Sequence, residues 1–131
     1  MTLFEYAAKN IGELIGNVAE ESSKAAQDAS EDCIHDLRVS IRRLAETLRV
    51  FEDVLPDDAA DAVRKDLREA MQLAGTIRNH DIALDLARKA KVEVGAAFDD
   101  ERRTAASALH KVLSKWNSDA IFDDWRADLH A

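Results

Sequence analysis

The sequence predicts an all-α fold, an antiparallel four-helix bundle followed by a short C-terminal helix. Apolar residues recur at three- and four-residue spacing through four long segments, as they do on the buried face of a helix. The 131 residues include one proline and four glycines, too few turn-forming residues for a many-stranded β fold. Short connections between long helices favour antiparallel neighbours. No change of composition divides the chain, so we expect one domain over residues 1–131.

The first two predicted helices occupy the first 56 residues. The first runs from about Thr2 to Asp28, and its apolar positions are Leu3, Tyr6, Ala7, Leu14, Ile15 and Val18. Ser30 is the expected N-cap of the second helix, which ends at Pro56 because proline disfavours helical backbone before it. The apolar positions of the second helix are Ile34, Leu37, Ile41, Leu44, Leu48, Phe51 and Leu55.

The third predicted helix is capped by Asp57 or Asp58 and runs to roughly Val94, where Gly95 is a plausible stop. Its apolar positions are Val63, Leu67, Ala70, Ala74, Ile77 and Leu84. The fourth runs from about Asp99 to Trp116, with apolar positions Ala105, Leu109, Val112, Leu113 and Trp116. A short amphipathic tail follows from Asn117 or Ser118, and its apolar positions are Phe122, Trp125 and Leu129. We expect Trp116 and Trp125 to close one end of the bundle.

Composition favours a cytoplasmic protein. The single cysteine, Cys33, cannot form an internal disulfide, which fits a reducing compartment. The first residues carry charges too early, and apolar runs too short, for a signal peptide. No segment approaches the length of a membrane span.

The second predicted helix carries cationic side chains along one edge of its apolar face. On a helical wheel, four of them share an arc of about 60°: His35, Arg38, Arg42 and Arg49. Arg43 lies further round the helix. Like charges stacked along one edge repel each other, so the arrangement costs free energy unless an anion lies there. Guanidinium groups stay charged and can meet phosphate oxygens with two parallel hydrogen bonds, which points to a phosphate-rich ligand.

The third predicted helix repeats the arrangement. Arg64, Arg68 and Arg78 lie within roughly 80° of each other beside its apolar face, and Gly75 lies between them. A glycine there lets an extended anion approach closely. Asp81, one turn from Arg78, is expected to hold that guanidinium in place. Further cations on the fourth helix add to the basic surface without forming one stripe: Arg103, Lys111 and Lys115.

The same arginines also have an ordinary structural interpretation, in which their methylenes cover the core edge and their heads stay in water. Some can pair with acids at helical spacing, such as Arg42 with Glu46 and Arg88 with Asp85. The net charge of −8 opposes polyanion binding unless the basic residues share one face. Spacing alone leaves both interpretations open.

Two stretches resemble the motifs of the CHAD family. Residues 35–44, HDLRVSIRRL, followed by LRVF at residues 48–51, resemble its histidine-containing motif. The stretch from Leu67-Arg68 through AGTIRNHDI at residues 74–82 is similar to its second motif, a leucine-glycine-x-x-arginine-aspartate-x-aspartate pattern. Leu109, Leu113 and the tail after Trp116 resemble its closing helix. Together these stretches cover most of the chain.

The resemblance implies a helical, non-catalytic domain that binds inorganic polyphosphate. Carried over to this chain, it assigns anion contacts to His35, Arg38, Arg42, Arg43, Arg68 and Arg78, with Arg49 as a further candidate. It also implies polyphosphate granules or a triphosphate-tunnel protein as partners. From the helical wheels we add Arg64, Arg103 and Lys111 to the expected contacts, and we expect neither metal nor cofactor.

The chain departs from the family pattern at three positions and in length. Ala45 stands where many members have another arginine, Asn79 replaces the first aspartate of the second motif, and Ala74 replaces its leucine. A typical member holds two such bundles related by a pseudo-twofold axis, whereas this chain has one. We therefore expect a homodimer that rebuilds the full cavity.

Two other classes of function stay open. An HD-type metal-dependent phosphohydrolase would use His35-Asp36 and His80-Asp81 as metal ligands, although His80 is expected on a solvated face. A plain helical module would instead dock another protein or a granule surface. Nucleic acid is a weaker candidate, because no aromatic residues alternate with the basic ones to stack on bases.

Overall fold

The computed structural model describes residues 1–131 and is all-α, as predicted. Five α-helices are joined by short connections: α1 (Leu3–Gln27), α2 (Glu31–Val50), α3 (Ala59–Ala90), α4 (Ala96–Ser118) and α5 (Ile121–Leu129). A 3₁₀ turn, Glu52–Val54, lies between α2 and α3. In the bundle α1 packs on α2 and α4, while α3 packs on the same two helices from the other side. The short α5 crosses one end and contacts α1, α3 and α4.

The buried face of each helix follows the apolar periodicity. One cluster of 24 buried apolar residues joins all five helices, which confirms most of the predicted core. Leu3 and Tyr6 are exceptions, since they are 60% and 52% exposed. The Tyr6 ring reaches only the edge of Phe51, the residue that follows α2, so the first turn of α1 extends past the helix that would cover it.

The predicted end of α2 at Pro56 is wrong by about two turns. The helix ends at Val50, and the Phe51 N–H donates to the Thr47 carbonyl. The chain then tightens into the 3₁₀ turn before Leu55, which is extended at φ −95° and ψ 159°. Proline therefore acts only on the residue before it, and the helix has already ended.

The junction between α3 and α4 also differs from the prediction. The α3 helix ends at Ala90, and Lys91 adopts the left-handed conformation, with the N–H of Val92 bonded to the Ala87 carbonyl. This six-to-one hydrogen bond is the usual helix stop, made here by a lysine where glycine is preferred. Gly95 instead precedes the first residue of α4.

The predicted N-terminal cap is present on α2 but not on α3. The side chain of Ser30 accepts a hydrogen bond from the N–H of Cys33, so the predicted cap of α2 is confirmed. Asp58 occupies the corresponding position before α3, but its side chain accepts no such bond.

An aromatic cluster closes one end of the bundle. The rings of Trp116, Phe122 and Trp125 meet edge to face, with centroids 5.3–6.0 Å apart. The Trp125 indole N–H donates to the Asp66 carboxylate of α3 at 3.3 Å, which ties α5 to the long third helix. None of the five helices combines the length and apolar character needed to cross a membrane.

Candidate anion-binding groove

A groove of about 260 Å³ lies between the antiparallel helices α2 and α3. Its floor is apolar, formed by Ile41, Ala45, Leu67 and Met71, and its rims are guanidinium groups. The arginines that line it are Arg42 and Arg49 from α2 and Arg64 and Arg68 from α3. The stripes predicted on two separate helices thus meet across one cleft, because the buried faces of α2 and α3 pack together and bring their flanking residues into line.

Arg38 extends this cationic cluster along α2. Its Nε atom is buried and has no hydrogen-bond partner. Burial lowers the pKa of the Arg38 guanidinium, and the positive charges of Arg42 and Arg78 lower it further. A guanidinium with buried donors and two cationic neighbours is a group that an anion would stabilise.

Ion pairs hold the arginine at each end of the cationic cluster of α2 and α3. At one end an Arg78 guanidinium nitrogen lies 3.0 Å from a carboxylate oxygen of Glu31, at the start of α2. At the other end Arg64 is 3.2 Å from Glu52 and also pairs with Asp61. Hydrogen bonding to Asp61 raises the pKa of Arg64, so its charge is well compensated.

The arginines between these ends have no acidic partner. The side chains of Arg38, Arg42, Arg49 and Arg68 make no ion pair within 4.0 Å, whereas Arg64 and Arg78 do. The expected pair between Glu46 and Arg42 is absent, and Asp85 pairs with Lys89 instead of Arg88. The middle of the groove therefore holds uncompensated positive charge inside a protein of net charge −8.

Gly75 leaves open space beside the basic side chains. It lies seven residues after Arg68 and three before Arg78, so the three share one helix face. A Cβ atom built on Gly75 would meet no atom within 4 Å. The glycine is therefore not required by helix packing, and it leaves open space on the face of α3 that carries Arg68 and Arg78.

His35 and Arg43 lie on the opposite flank of α2. They line a separate cleft of about 450 Å³ between α1 and α2, shared with the carboxylates of Glu21 and Asp36. The wheel placed His35 in the same arc as Arg38, but in the structure His35 is exposed and lines the cleft on the α1 side of the helix. The structure therefore does not bring either residue into the α2–α3 groove.

The basic residues of α4 are also separate from the groove. Arg103 and Lys111 line a shallow outer surface of α4, and Arg103 pairs with Asp100 at 2.6 Å. The α4 helix packs on α1 and α3 and makes no substantial contact with α2. The side chains of Arg103 and Lys111 consequently add no charge to the cluster between α2 and α3.

The environment of His80 differs from the expected solvated face. His80 is buried, its ring stacks on Phe98 at 4.0 Å, and neither ring nitrogen has a hydrogen-bond partner. The nearest carboxylate oxygens, from Asp99 and Asp81, lie 3.7 and 3.9 Å away. His80 lies in the second half of the long α3 helix, where the start of α4 covers it. The apolar pattern of α3 alone did not predict this burial.

Asp81 holds a different arginine from the one predicted. It accepts hydrogen bonds from Arg102 of α4 at 2.7 and 3.3 Å, and Arg102 also donates to the Ala29 carbonyl at 2.8 Å. The bond to Asp81 raises the pKa of Arg102. Asp81 therefore ties α3 to α4, while Arg78 turns toward Glu31.

Sequence reasoning missed the acidic residues that end the groove. Glu31 lies seven residues before Arg38 and eleven before Arg42, the spacing of one helix face, so this signal was available. Asp61 lies three residues before Arg64 on α3, so helical spacing could have predicted that pair. Glu52 gave no such signal, because it reaches Arg64 from the 3₁₀ turn. No group of three or more histidine, cysteine or acidic side chains lies close enough together to hold a metal ion.

The chain matches a known protein family over most of its length. The model of the CHAD domain matches residues 6–131, essentially the whole chain. No similar protein was found among curated proteins or solved structures. The matched region includes all of α2 and α3 and therefore both rims of the groove. The chain belongs to the CHAD domain family.

Proposed function

We propose that this protein binds inorganic polyphosphate, or a similar linear polyanion with closely spaced charges, in the α2–α3 groove and without catalysis. The observation that carries the proposal is a cleft lined by three arginines without acidic partners, Arg42, Arg49 and Arg68, with a fourth, Arg38, next to Arg42 on α2. CHAD domains are associated with polyphosphate binding and with triphosphate-tunnel proteins. The family membership and the charge distribution thus support the same ligand.

The geometry of the groove suits an extended anion. Arg38 and Arg49 are eleven residues apart, so their Cα atoms are separated by about 16 Å along α2. Along this distance both rims supply guanidinium groups, which can bind phosphate oxygens in pairs. A chain of phosphates lying along the groove would meet a new guanidinium at each helical turn.

We confine the proposed contacts to the six arginines that line the groove or extend its cationic cluster along α2 and α3. These are Arg38, Arg42, Arg49, Arg64, Arg68 and Arg78. His35 and Arg43 could contact only an anion that crosses α2, and Arg103 and Lys111 only one that continues over α4. The acidic remainder of the surface would repel a long nucleic-acid duplex more than a short polyanion confined to the groove.

Titration calorimetry with medium-chain polyphosphate tests the proposal. The wild-type chain should bind, and an Arg38→Ala/Arg42→Ala variant should bind at least tenfold more weakly, since each guanidinium–phosphate contact contributes about 1–2 kcal/mol. An Arg103→Ala/Lys111→Ala variant removes the same charge from α4 and should bind like the wild type.

Absence of binding by the folded wild-type chain would contradict the proposal, and so would equal loss in both double variants. In that case a docking module becomes the better account. One observation favours that second function: Ile82, Leu86 and Val92, near the α3–α4 junction, expose 43%, 60% and 61% of their surface. Binding of a protein partner through these apolar side chains would be insensitive to salt.

We also propose that the protein does not hydrolyse phosphate esters, because His80 and Asp81 are engaged in other contacts. An HD-type site needs both side chains as metal ligands, but Asp81 is bonded to Arg102 and His80 stacks on Phe98. Phosphohydrolase turnover that depends on added divalent metal, and that is lost in a His80→Ala variant, would contradict this part of the proposal.

A homodimer is proposed as the assembled form. The groove is open along one side, and a second bundle related by a twofold axis would enclose an extended anion between two sets of arginines. Sedimentation velocity at micromolar concentration, with and without polyphosphate, should give the mass of two chains. A single-chain mass under both conditions would contradict the dimer and leave binding to one groove intact. Polyphosphate granules and triphosphate-tunnel proteins are the proposed cellular partners.

A further inference from the structure

Three carboxylates lie at the two ends of the cationic cluster, each beside an arginine of the proposed binding set. Glu31 pairs with Arg78, and Glu52 and Asp61 pair with Arg64. Glu31 accepts a hydrogen bond from one terminal nitrogen of Arg78, and Glu52 and Asp61 together accept from both terminal nitrogens of Arg64, so a phosphate at either arginine would compete with a carboxylate for its charge and donors. The two outermost groove arginines are therefore already occupied by oxygen anions of the protein itself.

Resting on the proposed function, we propose that Glu31, Glu52 and Asp61 are specificity-determining residues that set the length of polyanion the groove prefers. A short chain binds the four unpaired arginines and leaves the end pairs intact. A longer chain must displace the carboxylates or pass close to them, and it gains little from its additional phosphates.

The cationic cluster has a middle section of unpaired arginines and one paired arginine at each end. The unpaired arginines of α2, from Arg38 to Arg49, span about 16 Å, whereas Arg64 and Arg78 lie about 21 Å apart along α3, from the rise of 1.5 Å per residue. Affinity should rise with chain length until the unpaired section is filled. Beyond that length it should level off, because the end arginines are not free.

The two ends differ in how firmly their arginine is held. Arg78 has one carboxylate partner, Glu31, whose side chain is 62% exposed. Arg64 has two partners and is itself only 20% exposed. Loss of one carboxylate should therefore release Arg78 but not Arg64, so the site should lengthen at the Arg78 end first.

The test measures binding of size-fractionated polyphosphates of increasing length by calorimetry. In a Glu31→Gln variant, affinity should continue to rise up to a longer polyphosphate length than in the wild type. Long chains should bind about two- to fivefold more tightly, the range for a partly exposed ion pair. Short chains should bind as they do to the wild type. Glu52→Gln alone should change little, whereas Glu52→Gln/Asp61→Asn should lengthen the site like Glu31→Gln.

Glu46→Gln is the matched control. Glu46 lies on α2 and is exposed, like Glu31, but it pairs with no arginine, so its removal changes the net charge equally without freeing a guanidinium. It should leave unchanged the length at which affinity levels off. Circular dichroism and thermal unfolding establish that each variant is folded before its binding is compared.

Two results would overturn the inference while leaving the proposed function standing. One is an unchanged length preference in both Glu31→Gln and Glu52→Gln/Asp61→Asn. The other is an equal shift in the Glu46→Gln control, which would reduce the effect to net charge. Failure of the wild-type chain to bind polyphosphate of any length would instead remove the proposed function itself.

Discussion

At the scale of single residues, Arg38 shows the conflict between stability and binding most directly. Its guanidinium is partly buried, its Nε has no partner, and Arg42 and Arg78 lie near it. An arginine chosen only for stability would lie beside a carboxylate, as Arg102 lies beside Asp81. The unfavourable environment of Arg38 is therefore explained by a ligand better than by the packing of the empty protein.

Replacing Arg38 with methionine should strengthen the fold and weaken binding. Methionine keeps the apolar stem and removes repulsion from two neighbouring cations, at about 0.2–0.5 kcal/mol each, so thermal unfolding should shift upward by a few degrees. Polyphosphate affinity, measured by calorimetry, should fall about tenfold, the loss expected for one charge-assisted contact.

The gain in folding stability expected for Arg38→Met should not change with pH over the neutral range. The pKa of Arg38 is lowered in the folded state, so the protonated form is the disfavoured one on folding. The free-energy cost of placing charged Arg38 in the folded protein is present at every pH below its folded pKa, which includes the whole neutral range. This cost disappears only at strongly alkaline pH. The difference in stability between wild type and Arg38→Met should therefore be the same at pH 6 and pH 8, and a difference confined to one pH would point to another titrating group.

At the scale of the helices, α2 and α3 act as the two rims of one site. Each has an apolar stripe that packs into the bundle and a basic stripe beside it, so packing the apolar stripes places the basic stripes face to face. Helical glycine is unfavourable by about 1 kcal/mol relative to alanine. Its presence at Gly75, in the middle of a 32-residue helix, matches the need for open space between the rims.

A Gly75→Ala variant should separate the folding role of this position from its binding role. Because a Cβ at Gly75 meets no atom within 4 Å, the variant should be more stable by up to about 1 kcal/mol, measured by urea unfolding. The added methyl group narrows the groove, so affinity for polyphosphate should fall. A variant that is more stable and binds as tightly as the wild type would show that the anion does not approach α3 at this point.

At the scale of the whole molecule, charge distribution matters more than net charge. Acidic residues outnumber basic ones by 26 to 18, yet four guanidinium groups with no acidic partner line one cleft or lie beside it. The protein as a whole repels polyanions at long range, while the groove attracts them at short range. Association should therefore be selective for anions thin enough to enter the cleft.

Salt should weaken polyphosphate binding in proportion to the number of arginine–phosphate contacts. With four free arginines, log Kd should rise with log salt at a slope of about 3, using the value for single-stranded polyanions. The Arg38→Ala/Arg42→Ala variant should show about half that slope. Calorimetry or competition binding at several salt concentrations measures both, and an equal slope in the two proteins would place the contacts elsewhere.

Local sequence patterns determined the helices, most of the core and the identity of the basic stripes. Helical periodicity is a property of neighbouring residues, so the buried faces of α2 and α3 and the Ser30 cap could be predicted directly. The resemblance to the CHAD family, now shown by the match over residues 6–131, came from motifs that lie within single helices. The end of α2 and the α3–α4 junction were harder to predict, because alternative backbone hydrogen bonds ended both helices earlier.

Only the tertiary structure decided which charges meet. Arg78 bonds to Glu31, 47 residues away, rather than to Asp81 one turn along its own helix, and Asp81 bonds to Arg102 of α4. The same packing moved His35 out of the groove and buried His80 under Phe98. A helical wheel gives the direction of a side chain from its own axis, but the partner it meets depends on the position and rotation of the neighbouring helix. The residues that could bind an anion were therefore readable from the sequence, while the subset that shares one cleft was decided by the packing of α2 against α3.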